Sequence, residues 1–225
     1  PPRSTLFPYT TLFRSVVNRM RRKRAEAALL AVNATLERRV RERTSELHDS
    51  NVALLAAKES LEVLSRTDAL TSLPNRRHAE EFAIACHREF QRHGGTYALA
   101  VLDIDFFKTV NDLHGHEAGD MLLRRLGEEM TAMLRAGDMV ARWGGEEFLF
   151  VLPHTDAASA GKMVECIRER IAAAAYVCRD ARLTVTVTAG VAAAAAGDAF
   201  DDVLRRADEA LYRGKAEGRN RVVAV

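Results

Sequence analysis

The chain has 225 residues, of which 48% are apolar and 28% charged, with a formal net charge of +2. This length suits one domain plus an extension, the apolar share supports a sizeable core, and the near-balanced charge argues against a general nucleic-acid binder. Cys86, Cys166 and Cys178 have no metal-ligand spacing and read as core or surface residues of a reducing compartment. No apolar run reaches the roughly 18–20 residues of a membrane helix.

Residues 1–15 are set apart from the fold. Thr5–Ser15 has no helical or strand period, lacks a secretory layout, and resembles the in-frame translation of a short-read sequencing adapter. On that reading the segment is non-native or disordered, and an upstream sensor or membrane domain is missing from the chain.

From about Val17 to Leu64 there is neither proline nor glycine, which predicts one long helix within a 16–66 segment. The basic block Arg19–Arg24 reads either as a solvated helix face or as a contact for nucleic acid or a membrane surface. Val40, Leu47, Leu54 and Leu61 recur at a seven-residue step, with Asn33 in the preceding slot. The companion line, Leu36, Arg43, Ser50, Ala57 and Leu64, is mixed. This pattern favours a parallel coiled coil of moderate stability over a helix packed on its own domain.

A domain over 67–225 follows. Asp68–Arg77 closes the long helix: Pro74 disfavours helix at Leu73, Asn75 can cap the next helix to about His93, and Gly94-Gly95 ends it. Tyr97–Ile104 reads as a buried strand running into Asp103-Ile104-Asp105-Phe106-Phe107-Lys108. Asp103 and Asp105 share a strand face, so either a cation such as Mg²⁺ pairs with them or both lie in solvent beyond the strand. His114 and His116 lack a third soft ligand at a useful spacing. A helix with Met121, Leu122, Leu126, Met130 and Leu134 on its apolar positions comes next.

Met139–Ala141 and Phe148–Leu152 flank Trp143-Gly144-Gly145-Glu146-Glu147, which predicts a β-hairpin. Glycine there permits positive φ and a close backbone approach, and the two acids at the turn can hold a hard cation. A helix over 156–174, an alternating strand over Leu183–Thr188, a helix from Phe200 to about Ala216 and a final strand from Arg221 to Val225 complete the domain.

Five stretches together resemble the GGDEF family of diguanylate cyclases, in its Gly-Gly-Glu-Glu-Phe form. They are Asp68–Arg77, with Ser72 where the family has glycine; Asp103–Lys108; Asn111–Asp120; Gly144–Phe148; and Lys215–Asn220. Leu36–Leu47 is similar to the signalling helices that join bacterial sensors to output domains. The resemblance implies an α+β fold of the palm-like nucleotidyl cyclase type, with a mostly antiparallel five-stranded sheet flanked by helices and a long helix before it. It implies condensation of two GTP into cyclic di-GMP in a homodimer joined by the coiled coil. Asp103, the Ile104 carbonyl, Glu146 and Glu147 would hold Mg²⁺ or Mn²⁺, with Glu146 as base or ligand and Lys108 stabilising phosphate charge. Asn111 and Asp120 would read guanine, Gly144 and Gly145 would leave room for GTP, and Lys215 and Arg219 would contact the triphosphate. Arg135 and Asp138 match an inhibitory Arg-x-x-Asp site for the product. A cytoplasmic location follows, with no nucleic-acid partner. The rival readings are an inactive family member that binds cyclic di-GMP or GTP, a coiled-coil scaffold, and another palm-like cyclase or polymerase. The filled acidic and phosphate positions disfavour the first two, and the guanine pair disfavours the third.

Overall fold

A computed structural model describes residues 8–64, 66–178 and 181–225. The chain divides into two units, Pro1–Leu61 and Glu62–Val225. The first is dominated by helix α1, Pro8–Leu64, about 85 Å long at 1.5 Å per residue. The helix starts earlier than the Val17 expected. Pro8 is tolerated at a first helical position, and no breaker follows it, so the missing apolar period at 8–15 does not stop the backbone from coiling. Leu36, Val40, Leu47 and Leu54 are 57–65% exposed in a single copy. The side chains of Ala57, Leu61 and Leu64 lie outside the described residues. Local ion pairs line the helix, among them Arg38–Glu42 and Arg43–Glu46.

The second unit is built on a five-stranded sheet ordered β2-β3-β1-β6-β7. Its strands are β1 (Tyr97–Ile104), β2 (Met139–Arg142), β3 (Glu147–Pro153), β6 (Val187–Ala193) and β7 (Val222–Ala224). Every pairing is antiparallel except β6 with β7. A separate hairpin joins β4 (Tyr176–Cys178) to β5 (Ala181–Leu183). All eight residues of central β1 are buried, which explains its unbroken apolar run. Ala98, Ala100, Leu102 and Ile104 join a core with residues of α4 (His116–Ala132) and α5 (Ala157–Ala173). Tyr97, Leu99 and Val101 join the opposite core, with α2 (Arg76–His93) and α6 (Phe200–Ala216).

The expected strand over Leu183–Thr188 is a correction. Leu183 ends β5, residues 184–186 belong to no strand, and β6 runs instead from Val187 to Ala193. Gly190 and the alanines of β6 weaken its strand signal, yet the sheet needs them small. A Cβ at Gly190 would overlap the Ala207 carbonyl oxygen and the Leu211 nitrogen of α6. A short helix, α3 (Phe107–His114), also went unread between the aspartates and α4. Gly115, at φ 83°, separates the two helices.

Candidate active site

The β2–β3 hairpin turns through residues 143–146. The N–H groups of Trp143 and Gly144 both donate to the Glu147 carbonyl, at 2.8 and 3.2 Å. Neither Gly144 nor Gly145 takes a positive φ, contrary to the expectation for this turn. Space is what they supply. A Cβ on Gly144 would sit 2.7 Å from a Glu147 carboxylate oxygen, while the space beside Gly145 is open. Arg142 braces the turn by donating from Nη2 to the Gly145 carbonyl at 2.9 Å. Its Nη1 bonds both Asp68 carboxylate oxygens at 3.0 and 3.2 Å. Nothing in the local sequence marks this link, because its two residues lie 74 positions apart.

The hairpin tip meets the end of β1, where the Ile104 N–H donates to the Glu146 carbonyl at 3.3 Å. Asp103 is buried, and its Oδ2 lies 2.8 Å from Lys215 Nζ, carried there by α6. Burial raises the Asp103 carboxyl above its ordinary value; Lys215 opposes the rise and Asp105 adds to it. Glu146 is likewise raised, first by desolvation and then by Asp103, with Lys215 acting the other way. Acids crowd here against one ammonium.

Asp105 behaves differently from Asp103. Its carboxylate accepts from the Thr186 hydroxyl, the Thr188 hydroxyl and the Asn220 N–H, at 2.7, 2.7 and 3.0 Å. The second acid of the pair is therefore satisfied by protein groups rather than by solvent or a cation.

Asn111 of α3 packs against Gly119 of α4, where a Cβ would overlap Asn111 Oδ1, and Asp120 is the next residue of that helix. Lys108 is exposed on the first turn of α3. The Arg219 guanidinium lies 4.7 Å over the Phe106 ring. Away from these groups, Arg135 bonds Asp138 at 3.1 Å, and the Pro153 carbonyl and Thr155 hydroxyl at 2.7 Å each. It borders a cleft of about 720 Å³ shared with Thr71–Pro74.

Among the described residues, no three His, Cys, Asp or Glu side chains form a ready metal cage. The donors are all hard oxygens, and one neighbouring carboxylate is already committed to hydroxyls. Such a set suits Mg²⁺, which is usually held by one or two carboxylates plus substrate phosphates and water.

The family profile for the diguanylate cyclase GGDEF domain matches residues 65–221. The chain belongs to this family. Over 181 residues it is 39% identical to diguanylate cyclase DgcP of Pseudomonas aeruginosa, covering 80% of this chain and 27% of that protein. It is 40% identical over 163 residues to the response regulator PleD of Caulobacter vibrioides, covering 71% of this chain and 36% of PleD. The chain thus spans well under half the length of these relatives. Among solved structures, the coiled coil and GGDEF domain of DgcB from Caulobacter crescentus, in complex with c-di-GMP, is similar at TM-score 0.69 and 35% identity. That match covers 80% of this chain and 98% of the other. The active GGEEF domain of a Vibrio cholerae diguanylate cyclase is similar at TM-score 0.62 and 34% identity, covering 67% of this chain and 96% of the other.

Proposed function

We propose that the chain is a diguanylate cyclase, joining two GTP molecules into cyclic di-GMP. Each 3′-oxygen forms a bond to the α-phosphorus of the other nucleotide, and each α–β phosphoanhydride bond breaks to release pyrophosphate. The observation that carries this reading is the meeting of Asp103, Glu146 and Lys215 where β1 and the hairpin tip converge.

Asp103, the Ile104 carbonyl, Glu146 and Glu147 are the groups that would hold Mg²⁺ or Mn²⁺, which neutralises phosphate charge and acidifies a bound hydroxyl. Glu146, at the hairpin tip beside the end of β1, would serve as metal ligand or as the base that accepts a proton from the 3′-hydroxyl. Asn111 and Asp120 bond the guanine edge, where a carboxylate accepts from N1–H and the exocyclic amine. Gly145 leaves open space beside the hairpin for the nucleotide. Lys215 can exchange Asp103 for phosphate oxygens, while Arg219 and Lys108 add fixed positive charge. No covalent intermediate is required.

A single domain holds one GTP, so two copies meet about a two-fold axis. The exposed heptad line of α1 supports a coiled coil that raises their mutual concentration. Arg135 and Asp138 form the product-inhibition site, using the guanidinium face left open to solvent.

Incubation of the purified chain with GTP and Mg²⁺, with mass identification of the product, tests the reading. Cyclic di-GMP and pyrophosphate are expected from the native chain. Glu146→Gln should lower turnover by at least about 100-fold. GTP bound but returned unchanged by the native chain would instead support a binding module.

A further inference from the structure

Asp105 lies two residues beyond Asp103 and is only 3% exposed. Its Oδ2 accepts from the Thr186 hydroxyl and the Asn220 N–H, and its Oδ1 from the Thr188 hydroxyl. Its own N–H donates to the Thr186 carbonyl at 2.9 Å. The Asn220 N–H is shared with Thr188 Oγ1 at 3.0 Å, and Asn220 Oδ1 accepts from Arg168 at 2.7 Å.

Asn220 ends an unusual turn. Gly218, Arg219 and Asn220 have φ angles of 113°, 64° and 48°, and two of these consecutive positive-φ residues carry side chains. Such a run persists only where its surroundings hold it. Asp105 holds one end by accepting the Asn220 N–H. Its neighbour Phe106, itself at φ 59°, supports the Arg219 guanidinium with its ring. Backbone and side chain of Arg219 are thus both set from residues 105 and 106.

We propose that Asp105 is a positioning residue: through Asn220 it fixes the 218–220 turn, so that Arg219 stands over Phe106 and faces the nucleotide phosphates. Three protein donors already occupy its carboxylate, so the role assigned to it is structural and not that of a metal ligand. This inference rests on the cyclase reading, in which GTP is the substrate and Arg219 touches its phosphates.

The test is calorimetric titration of the full chain with 3′-deoxy-GTP and Mg²⁺. This nucleotide lacks the attacking hydroxyl and cannot turn over. Asp105→Asn, which unbalances the donors around a buried carboxyl, should weaken binding about tenfold. Competition by guanosine, which carries no phosphate, should be unchanged, as should the Mg²⁺ concentration giving half-maximal binding. In an Arg219→Ala background, Asp105→Asn should cost nothing further. Should Asp105→Asn fail to fold, Thr186→Val carries the same test; it removes one partner and keeps the carboxylate. Its expected loss is about threefold, again absent in the Arg219→Ala background. Additive losses, or a raised Mg²⁺ requirement with guanosine competition intact, would overturn the positioning role alone. Absence of 3′-deoxy-GTP binding by the native chain would overturn the cyclase reading and this inference with it.

Discussion

Asp68 accepts hydrogen bonds from the Thr71 N–H, the Thr71 hydroxyl and the Arg142 guanidinium, at 2.9, 2.8 and 3.0 Å. Burial by itself would push its carboxyl up, but the Thr71 donors and Arg142 together bring it below the ordinary value of 3.8. A depressed carboxylate stabilises the fold above its unfolded value and loses that contribution as pH falls through the folded one. Asp68→Asn should therefore cost about 1–3 kcal/mol near neutral pH. Urea unfolding of both proteins from pH 7 to pH 3 checks this: the gap should narrow in acid, and a constant gap would exclude an ionic contribution. Ser72, inside the same loop, adopts φ 59°, so the departure from the family's glycine falls on a turn that favours glycine.

The contact of α6 with the sheet decides where Lys215 stands. Gly190 lets the helix backbone approach β6, and a Cβ on Gly214 would lie 2.8 Å from Thr188 Cγ2. Both glycines let α6 come close enough for its last turn to deliver Lys215 to Asp103. Gly190→Ala should cost about 3 kcal/mol or more, because backbone atoms cannot yield as a side chain does. Thermal melting would show it, and an unchanged melting temperature would mean the helix can shift. The same contact explains what was hard to read in sequence. β1 was legible because burial on both faces makes its residues uniformly apolar. β6 was not, because the helix above it demands small residues that carry little strand propensity. The run of acids at the end of β1 and the hairpin could be located from local motifs. Asp68–Arg142 and the partners of Asp105 could not, since they join residues far apart in the chain.

At the scale of the whole chain, two expectations concern assembly and feedback. Deleting residues 16–64 removes the exposed apolar line that would pair two copies. Specific activity should then fall by about 100-fold at low protein concentration and recover as concentration rises. Equal activity on dilution would refute a dimerising role for α1. Arg135→Ala should relieve product inhibition while leaving the initial rate within about twofold, because Arg135 bonds Asp138, Pro153 and Thr155 rather than the acidic cluster. Progress curves with added cyclic di-GMP would decide; equal inhibition of both proteins would remove the site.

The guanidinium of Arg142 has a mechanical meaning as well. It grips the loop at the start of the second unit and, with the same planar head, the Gly145 carbonyl at the hairpin tip. The loop is pinned again where the Asn75 N–H meets the Arg66 carbonyl and the Arg142 N–H meets Pro74. Residue 66 is thereby tied to Gly145 through Asn75, Pro74 and Arg142, the last residue of β2.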